Sequence, residues 1–351
     1  MKKELYKSTG KKSLFDEQFT SEKLSEIGNP LEMIGRVIDF EMFRPTLESK
    51  LLNTHKKNNA GVKPFDVVMM FKIIILQRYY GLGDKQVEYQ ILDRNSFKNF
   101  LGLETGDKVP DEKTVWAFRE AITKTGLVED LFAQFKNYLE QKELIFNQGQ
   151  LIDASFTVAP RQRNTREENQ KIKNGEGNEL WNDNPHKKSH KDIDAKWTKK
   201  NNETFYGYKN HAKVDNKGKF INKYVVTDAS VHDSQATEDL LDEKDKGQDL
   251  YADSAYTGKE QEKTIAKHKM KNKVNEKGYR NKPLTEEQKK SNTEKSKIRV
   301  RVEHVFGFME QSMNGLKLKS IGIIRATGII GLINLTYNLF RYEQVIRLNI
   351  L

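Results

Sequence analysis

The chain has no cysteine among its 351 residues. Disulfides and cysteine-ligated zinc are therefore excluded, and a reducing compartment suits it. The N-terminus, MKKELYKSTGKKSLFDEQF, has lysines but no apolar core, so no signal peptide is expected. Long hydrophobic runs are scarce. Apolar residues make up 36% and charged residues 32%, which predicts long charged faces or loops. The most apolar stretch, IGIIRATGIIGLINLTYNLF, is long enough for a membrane span. It is interrupted by Arg325, Asn334, Asn338 and glycines, and reads as a buried amphipathic helix. No internal repeat is visible.

Net charge is missing from the first part of the chain and concentrated in the second. Residues 1–150 hold 23 Lys and Arg against 22 Asp and Glu, while the remainder holds 38 against 28. A basic excess favours polyanions such as nucleic acid, although lysine-rich surfaces also serve solubility alone.

The first part reads as helices. PFDVVMMFKIIILQRYYGLG is an apolar run stopped at Gly81–Gly83. Asp84 is expected to cap DKQVEYQILD, Asp111 to cap DEKTVWAFREAITKTG, and Gly126 to end that helix. LVEDLFAQFKNYLEQKEL follows with apolar spacings of three and four. Short helices with tight glycine turns resemble a helix-turn-helix arrangement. Trp116 is expected in the core at this spacing.

From about residue 150 strands appear. QLIDASFTVA alternates, with Ile152, Ala154, Phe156 and Val158 on one face and Asp153, Ser155 and Thr157 on the other. YGYKNHAKVD and KFINKYVVTDAS predict a hairpin turning at Asn216–Lys217–Gly218. SQATEDLLDE reads as a helix capped by Asp233. GQDLYADSAY reads as a strand ending at Asp253, KEQEKTIAKH as a helix and MKNKVN as a short strand. A long helix is expected over about Thr293 to Met313, then a last apolar helix. Three antiparallel strands followed by alternating helices and strands predict a ribonuclease H-like topology. That topology puts acids mid-way along the first strand, just after the fourth, and on the helix following the fifth. Asp153, Asp253 and Glu303 occupy those places.

Burying a carboxylate such as Asp153 requires compensation. Val302, Val305, Phe306, Met309 and Met313 form one apolar stripe, which sets Glu303 at the rim of the core. Three converging carboxylates suit hard divalent cations, Mg2+ with Mn2+ as substitute. Two such ions flanking a phosphate suit phosphodiester chemistry, one activating the attacking oxygen and one stabilising the leaving oxygen. Any one of these acids alone would read as a surface charge or a helix cap.

Four stretches carry a resemblance: FKIIILQRYYGLGDKQVEYQILDRNSFKNFLGL with VPDEKTVWAFRE; QLIDASF; YGYKNHAKVD, YVVTDASVHDSQ and LYADSAYTG; and RVRVEHVFGFMEQSMNG with LINLTYNLFRY. Across about residues 64 to 345 the chain resembles the DDE transposases of bacterial insertion sequences, in the insertion-sequence-five group. The resemblance implies that Asp153, Asp253 and Glu303 are catalytic and hold the metal. It implies cutting at the element's ends, attack of the freed 3′-hydroxyl on target DNA, double-stranded DNA as partner, a homodimer, and a cytoplasmic, nucleoid-associated place in a bacterium. The family often has a tyrosine three residues before the arginine preceding the Glu, and a Lys or Arg seven after the Glu. Here those positions are Ser296 and Glu310, leaving Arg299 or Lys317 as the expected phosphate ligand.

The expected architecture is α+β. Residues 1–63 form an extension and 64–147 a helical DNA-binding domain. Residues 148–345 form a ribonuclease H-like domain with a mixed five-stranded sheet and a polar basic insertion at about 160–205. In that insertion Arg161, Arg163, Lys187, Lys188, Lys199 and Lys200, with Trp197, are candidate DNA contacts; a flexible loop with locally packed tryptophans is the plainer reading. Segment 271–301, with 11 Lys and Arg against 4 acids, adds Arg299 and Arg301. His232, Asp233 and His304 are candidate neighbours of the acids. His186 and His190 read as part of a disordered basic loop. A nuclease without strand transfer, a catalytically inactive DNA-binding protein, and a protein of anionic or membrane surfaces are the alternatives.

Overall fold

Helix starts and stops in the first 150 residues largely obey local signals. The computed structural model describes residues 15–52, 63–104, 106–200 and 202–350; the leaderless N-terminal stretch expected above lies mostly outside them. The helices are α1 (Asp16–Ile27), α2 (Pro30–Val37), α3 (Arg44–Leu51), α4 (Val67–Tyr80), α5 (Asp84–Asp93), α6 (Asn95–Leu101), α7 (Glu112–Lys124) and α8 (Leu127–Gln141). Asp66 caps α4 through its carboxylate, which accepts from Val68 N and Met69 N at 2.9 Å. Gly81 ends it in the left-handed region at φ 63°. A Cβ there would lie 2.8 Å from Asn314 Cβ, so glycine also permits a close approach between distant segments. Asp111 caps α7, accepting from Thr114 N at 2.8 Å.

Asp84 does not cap α5. Gly83 precedes the helix, its N–H donated to Gln86 Oε1 at 2.8 Å. The Asp84 carboxylate instead forms a two-pronged pair with Arg119 of α7, with Oδ2 2.9 Å from Nη2. A bidentate guanidinium is the stronger partner, and it lies 35 residues away where local reading does not reach.

The second part holds β1 (Gln150–Val158), α9 (Arg166–Lys173), α10 (Pro185–Ser189), β2 (Lys196–Lys200), β3 (Glu203–Asp215), β4 (Ile221–Asp228), α11 (Thr237–Leu240), β5 (Asp249–Tyr251), α12 (Lys259–Lys267), β6 (Lys271–Asn272), α13 (Glu286–Gln311) and α14 (Ile323–Leu348). β3 pairs antiparallel with β1 and β4, while β5 runs parallel to β1 and β6 parallel to β5. The path β4–β3–β1–β5–β6 is the expected ribonuclease H-like order. A sixth strand, β2, pairs with Glu203–Gly207 of β3 beyond the reach of β4. The β3–β4 turn falls at the expected residues, with buried Asp215 accepting from Gly218 N at 2.5 Å and Lys217 N at 3.1 Å.

The insertion is folded. Thr165 and Glu168 form a reciprocal cap on α9. Trp181 is buried, its Nε1–H donated to Glu168 Oε1 at 2.7 Å. His186 and His190 sit on and just after short α10, their rings 4.9 Å apart.

β1 contributes to a core on each of its faces. Leu151 joins a large core with α13, α14 and the N-terminal helices, and Ile152 a smaller one with Leu240, Leu250 and Ile265. Helix α14 is, among the described residues, the one helix long and apolar enough to cross a membrane, yet it is largely buried. It packs against α4, α7, α8 and β4. Its polar interruptions grip the sheet. Asn338 accepts from Ile221 N and donates to Ile221 O, both at 2.9 Å, and Asn334 exchanges hydrogen bonds with Asn210 at 2.8 and 3.2 Å.

Candidate active site

Strand pairing brings the first two acids together. Gln150 and Leu151 of β1 lie opposite Leu250 and Tyr251 of β5. Extending that register by two residues sets Asp253 beside Asp153. Asp253 leaves β5 and caps the short turn Ser254–Tyr256, accepting from Ala255 N at 2.8 Å. Asp153 Oδ1 accepts from Ala154 N at 2.8 Å.

Helix α13 crosses β1 and brings Arg299 and Glu303, one turn apart. The guanidinium spans two acids, with Nη1 3.6 Å from Asp153 Oδ2 and Nη2 2.6 Å from Glu303 Oε1. Asp153 is only 16% exposed at its side chain, whereas Glu303 is 47% exposed. Burial pushes the Asp153 carboxyl up to about 6, and the Asp253 charge adds to this. The Ala154 N–H, Arg299 and Lys200 oppose the rise.

Sequence reading missed two residues here. Tyr256 is buried, and its hydroxyl has no hydrogen-bond partner among the described residues. Burial, then the charges of Asp153, Asp233 and Asp253, push its phenol well above the ordinary range. One phenol thus senses three carboxylates, and its place in YADSAY next to Asp253 was the available signal. Lys209 of β3 is the second. Its buried ammonium donates to Asp233 Oδ1 at 2.7 Å and Val231 O at 2.6 Å. Lys209 and Lys200 both lie over the Phe156 ring, at 5.2 and 5.8 Å.

Asp233 is therefore a buried ion-pair partner rather than a cap. The cap of the turn Asp233–Ala236 is His232, whose Nδ1 accepts from Ser234 N at 3.3 Å. The helix expected over SQATEDLLDE is only that turn followed by α11. His304 contacts Lys219 Nζ at 3.1 Å, at the β3–β4 turn.

The candidate DNA contacts divide by what already holds them. Arg301 is tied to Asn216 O and Oδ1 at 3.1 and 2.7 Å. Lys187 pairs with Glu168 at 2.9 Å, and Lys188 donates to Asn178 O and Asn182 Oδ1 at 2.8 and 2.6 Å. Lys200 stands 3.7 Å from Asp233 Oδ2. Arg163 and Lys199 are exposed. Trp197 is 42% exposed, with Arg161 over its ring at 5.8 Å. Trp116, expected in the core, is 49% exposed because α7 packs through Val115 and Ile122 instead.

Among the described residues no three His, Asp or Glu side chains cluster closely enough to enclose a metal ion. Glu303 is held by Arg299 instead. The donor set nonetheless fits hard cations: three carboxylates, one with its proton affinity raised by burial and by a neighbouring acid, already part-compensated by a guanidinium.

Residues 146–339 match the family described as Transposase DDE domain, and residues 19–121 match Transposase domain (DUF772). A solved structure of the piggyBac transposase synaptic complex with hairpin DNA is similar over 92% of this chain and 76% of that one. It has a TM-score of 0.43 and 11% identity.

Proposed function

We propose, since the chain belongs to the DDE transposase family, that it cuts the ends of an insertion sequence of the insertion-sequence-five group and joins them to target DNA. The observation that carries this is Arg299 bridging Glu303 and the largely buried Asp153, with Asp253 close enough for its charge to act on Asp153. Three carboxylates are gathered at one place, where Arg299 bridges two of them.

Asp153, Asp253 and Glu303 would hold a pair of Mg2+ ions, or Mn2+ in their stead, which would supply the positive charge phosphodiester chemistry needs. Asp153, on β1, and Asp253, just past the end of the neighbouring β5, would fix two carboxylates side by side. Glu303 comes from the helix side and is more exposed than Asp153, so it is the acid free to change partner. Once Glu303 leaves Arg299, the guanidinium is available to a phosphate oxygen. This offers one answer to the missing basic residue at position 310. Lys209 keeps Asp233 in an ion pair, so that its charge adds little to the repulsion.

In the first step water attacks a phosphodiester at the element boundary, the P–O3′ bond breaks, and the element keeps a free 3′-hydroxyl. In the second, that hydroxyl attacks a target phosphodiester, a new P–O bond forms, and a target 3′-hydroxyl leaves. One bond is exchanged for another, so no external energy source is needed. Double-stranded DNA is the partner on this reading, and handling two ends favours a homodimer. The domains follow the division already given, 64–147 for end recognition and 148–345 for chemistry.

The test is strand joining. Pre-cut end duplex and supercoiled plasmid are incubated with the full chain and Mg2+. Covalent end–plasmid product supports the reading. Boundary cutting of an uncut end duplex, with no joined product from the pre-cut one, would reduce the protein to a nuclease.

A further inference from the structure

We propose that a cavity of about 580 Å³ between α4, α7 and the α13–α14 link binds a backbone phosphate of duplex DNA, at a site separate from the three acids. The proposal rests on the transposase reading and gives it a second point of contact.

Its walls come from three parts of the chain: the end of α4 with its glycine turn, one face of α7, and the link from Asn314 to Ile321. Ser189, at the end of α10 in the basic insertion, adds to the lining. Gly81 allows the α4 turn to approach Asn314 closely enough to close one side.

The charges do not balance. Both acids in the wall are already paired, Asp84 with Arg119 and Gln77, and Glu120 with Arg325 at 2.8 and 2.9 Å. Removing those pairs leaves Arg78, Lys317 and Lys319, whose side chains make no hydrogen bond or ion pair among the described residues. Arg78 is the most telling, because its Nε is buried without an acceptor. A buried guanidinium nitrogen left without an acceptor is unfavourable. Burial, and then the Arg119 charge, push it down to about 10 against the opposing Asp84 charge, so it still carries its proton at neutral pH. Ser320 Oγ, in the same wall, is also buried with no partner among the described residues. Three unpaired cations, an unpaired hydroxyl and no free acid are the complement of a phosphate.

Duplex DNA is favoured as its source by position. Lys317 and Lys319 stand at the rim, beside exposed Trp116. The link is tied to the end of the catalytic strand, with Val158 N donated to Leu316 O at 3.0 Å and Leu318 N to Val158 O at 2.9 Å. From Asp153 to Val158 a strand rises roughly 17 Å. That is about five base pairs at roughly 3.4 Å each, so one duplex reaches both places.

The test measures binding of the full chain to an end duplex and to an unrelated duplex over a range of salt, in EDTA. Lys317→Gln/Lys319→Gln alters two unpaired rim side chains and should leave the melting temperature unchanged. It should lower the slope of log Kd against log salt by about one and weaken both duplexes roughly fivefold at 0.15 M salt. Arg78→Met should weaken binding too, and without DNA should melt no lower than wild type. Unchanged affinity and slope in the double variant would overturn the proposal. So would inorganic phosphate stabilising the wild type while duplex binding ignores the lysines. A lower melting temperature for Arg78→Met would make Arg78 part of the scaffold and count against it. Boundary cutting by wild type is scored separately. Wild type that shows the lysine effect but never cuts removes the transposase reading and keeps the phosphate site. Wild type that cuts while the double variant binds normally removes only the site.

Discussion

Replacing Asp153 by Asn should stabilise the metal-free chain while abolishing cutting. In the fold the Asp153 carboxyl is pushed from 3.8 up to about 6, first by burial and then by Asp253. The folded chain therefore binds more protons than the unfolded one between those values, and stability falls as pH rises through that window. The loss is complete above about pH 6 and amounts to about 3 kcal/mol. The asparagine side chain would carry no charge at any pH, and its amide oxygen can still accept from Ala154 N. Urea unfolding in EDTA at about pH 8 should show the variant more stable by about that amount, and at about pH 4 by less than about 1 kcal/mol. Adding Mg2+ at the higher pH should then stabilise wild type by mass action and leave the variant unmoved. A variant no more stable than wild type at the higher pH, or a gap that survives acidification, would refute the electrostatic argument.

Other expectations follow from packing and ion pairs. A Cβ at Gly331 would collide with the Tyr224 hydroxyl and stand 2.7 Å from Val128 Cγ1. Gly331→Ala should therefore lose about 1–3 kcal/mol by thermal melting despite its better helix propensity, and adding Tyr224→Phe should restore part of it. Arg119→Met leaves the Asp84 carboxylate half-buried without its two-pronged partner; a loss of about 2–4 kcal/mol in urea is expected, less in the Asp84→Asn background. Lys187, then Thr165 N–H and Trp181, hold the Glu168 carboxyl down to about 2. Its contribution to the insertion is present above the ordinary carboxylate range and lost as pH falls towards about 2. The Trp181 indole N–H resonance should therefore hold its position at about pH 4.5 and move only near about pH 2; movement at the milder pH would remove the ion pair from the account.

What could be read in advance was what local rules control. Gly81 ends α4 because only glycine suits its backbone and its neighbour, and Asp111 caps α7 because the residue before a helix start is where a short acid belongs. The strand order came from element types alone, since parallel and antiparallel strands leave different spacings. Readings that failed depended on partners far along the chain. The Asp84 carboxylate, at the first position of α5, was taken by Arg119, and Asp233 was claimed by Lys209 across the sheet. Trp116 faced outwards because α7 had other apolar residues to bury. Strand β2, KWTKK, has no apolar pattern of its own and exists because β3 runs on past β4 and leaves an edge to pair with. The acids were visible as residues at topological places. The bridging role of Arg299, the orphaned hydroxyl of Tyr256 and the unpaired cations around Arg78 required coordinates.

The central claim is that Asp153, Asp253 and Glu303 together run metal-dependent phosphodiester chemistry. The most direct test is nicking of a labelled duplex carrying the element's boundary, with Mg2+ or with EDTA, by wild type and by Asp153→Asn, Asp253→Asn and Glu303→Gln separately. The account predicts a nick at the boundary with wild type and Mg2+ only, and none from any of the three variants although each still binds the duplex. Nicking that persists in EDTA, or that survives in any one of the variants at the wild-type rate, would contradict it.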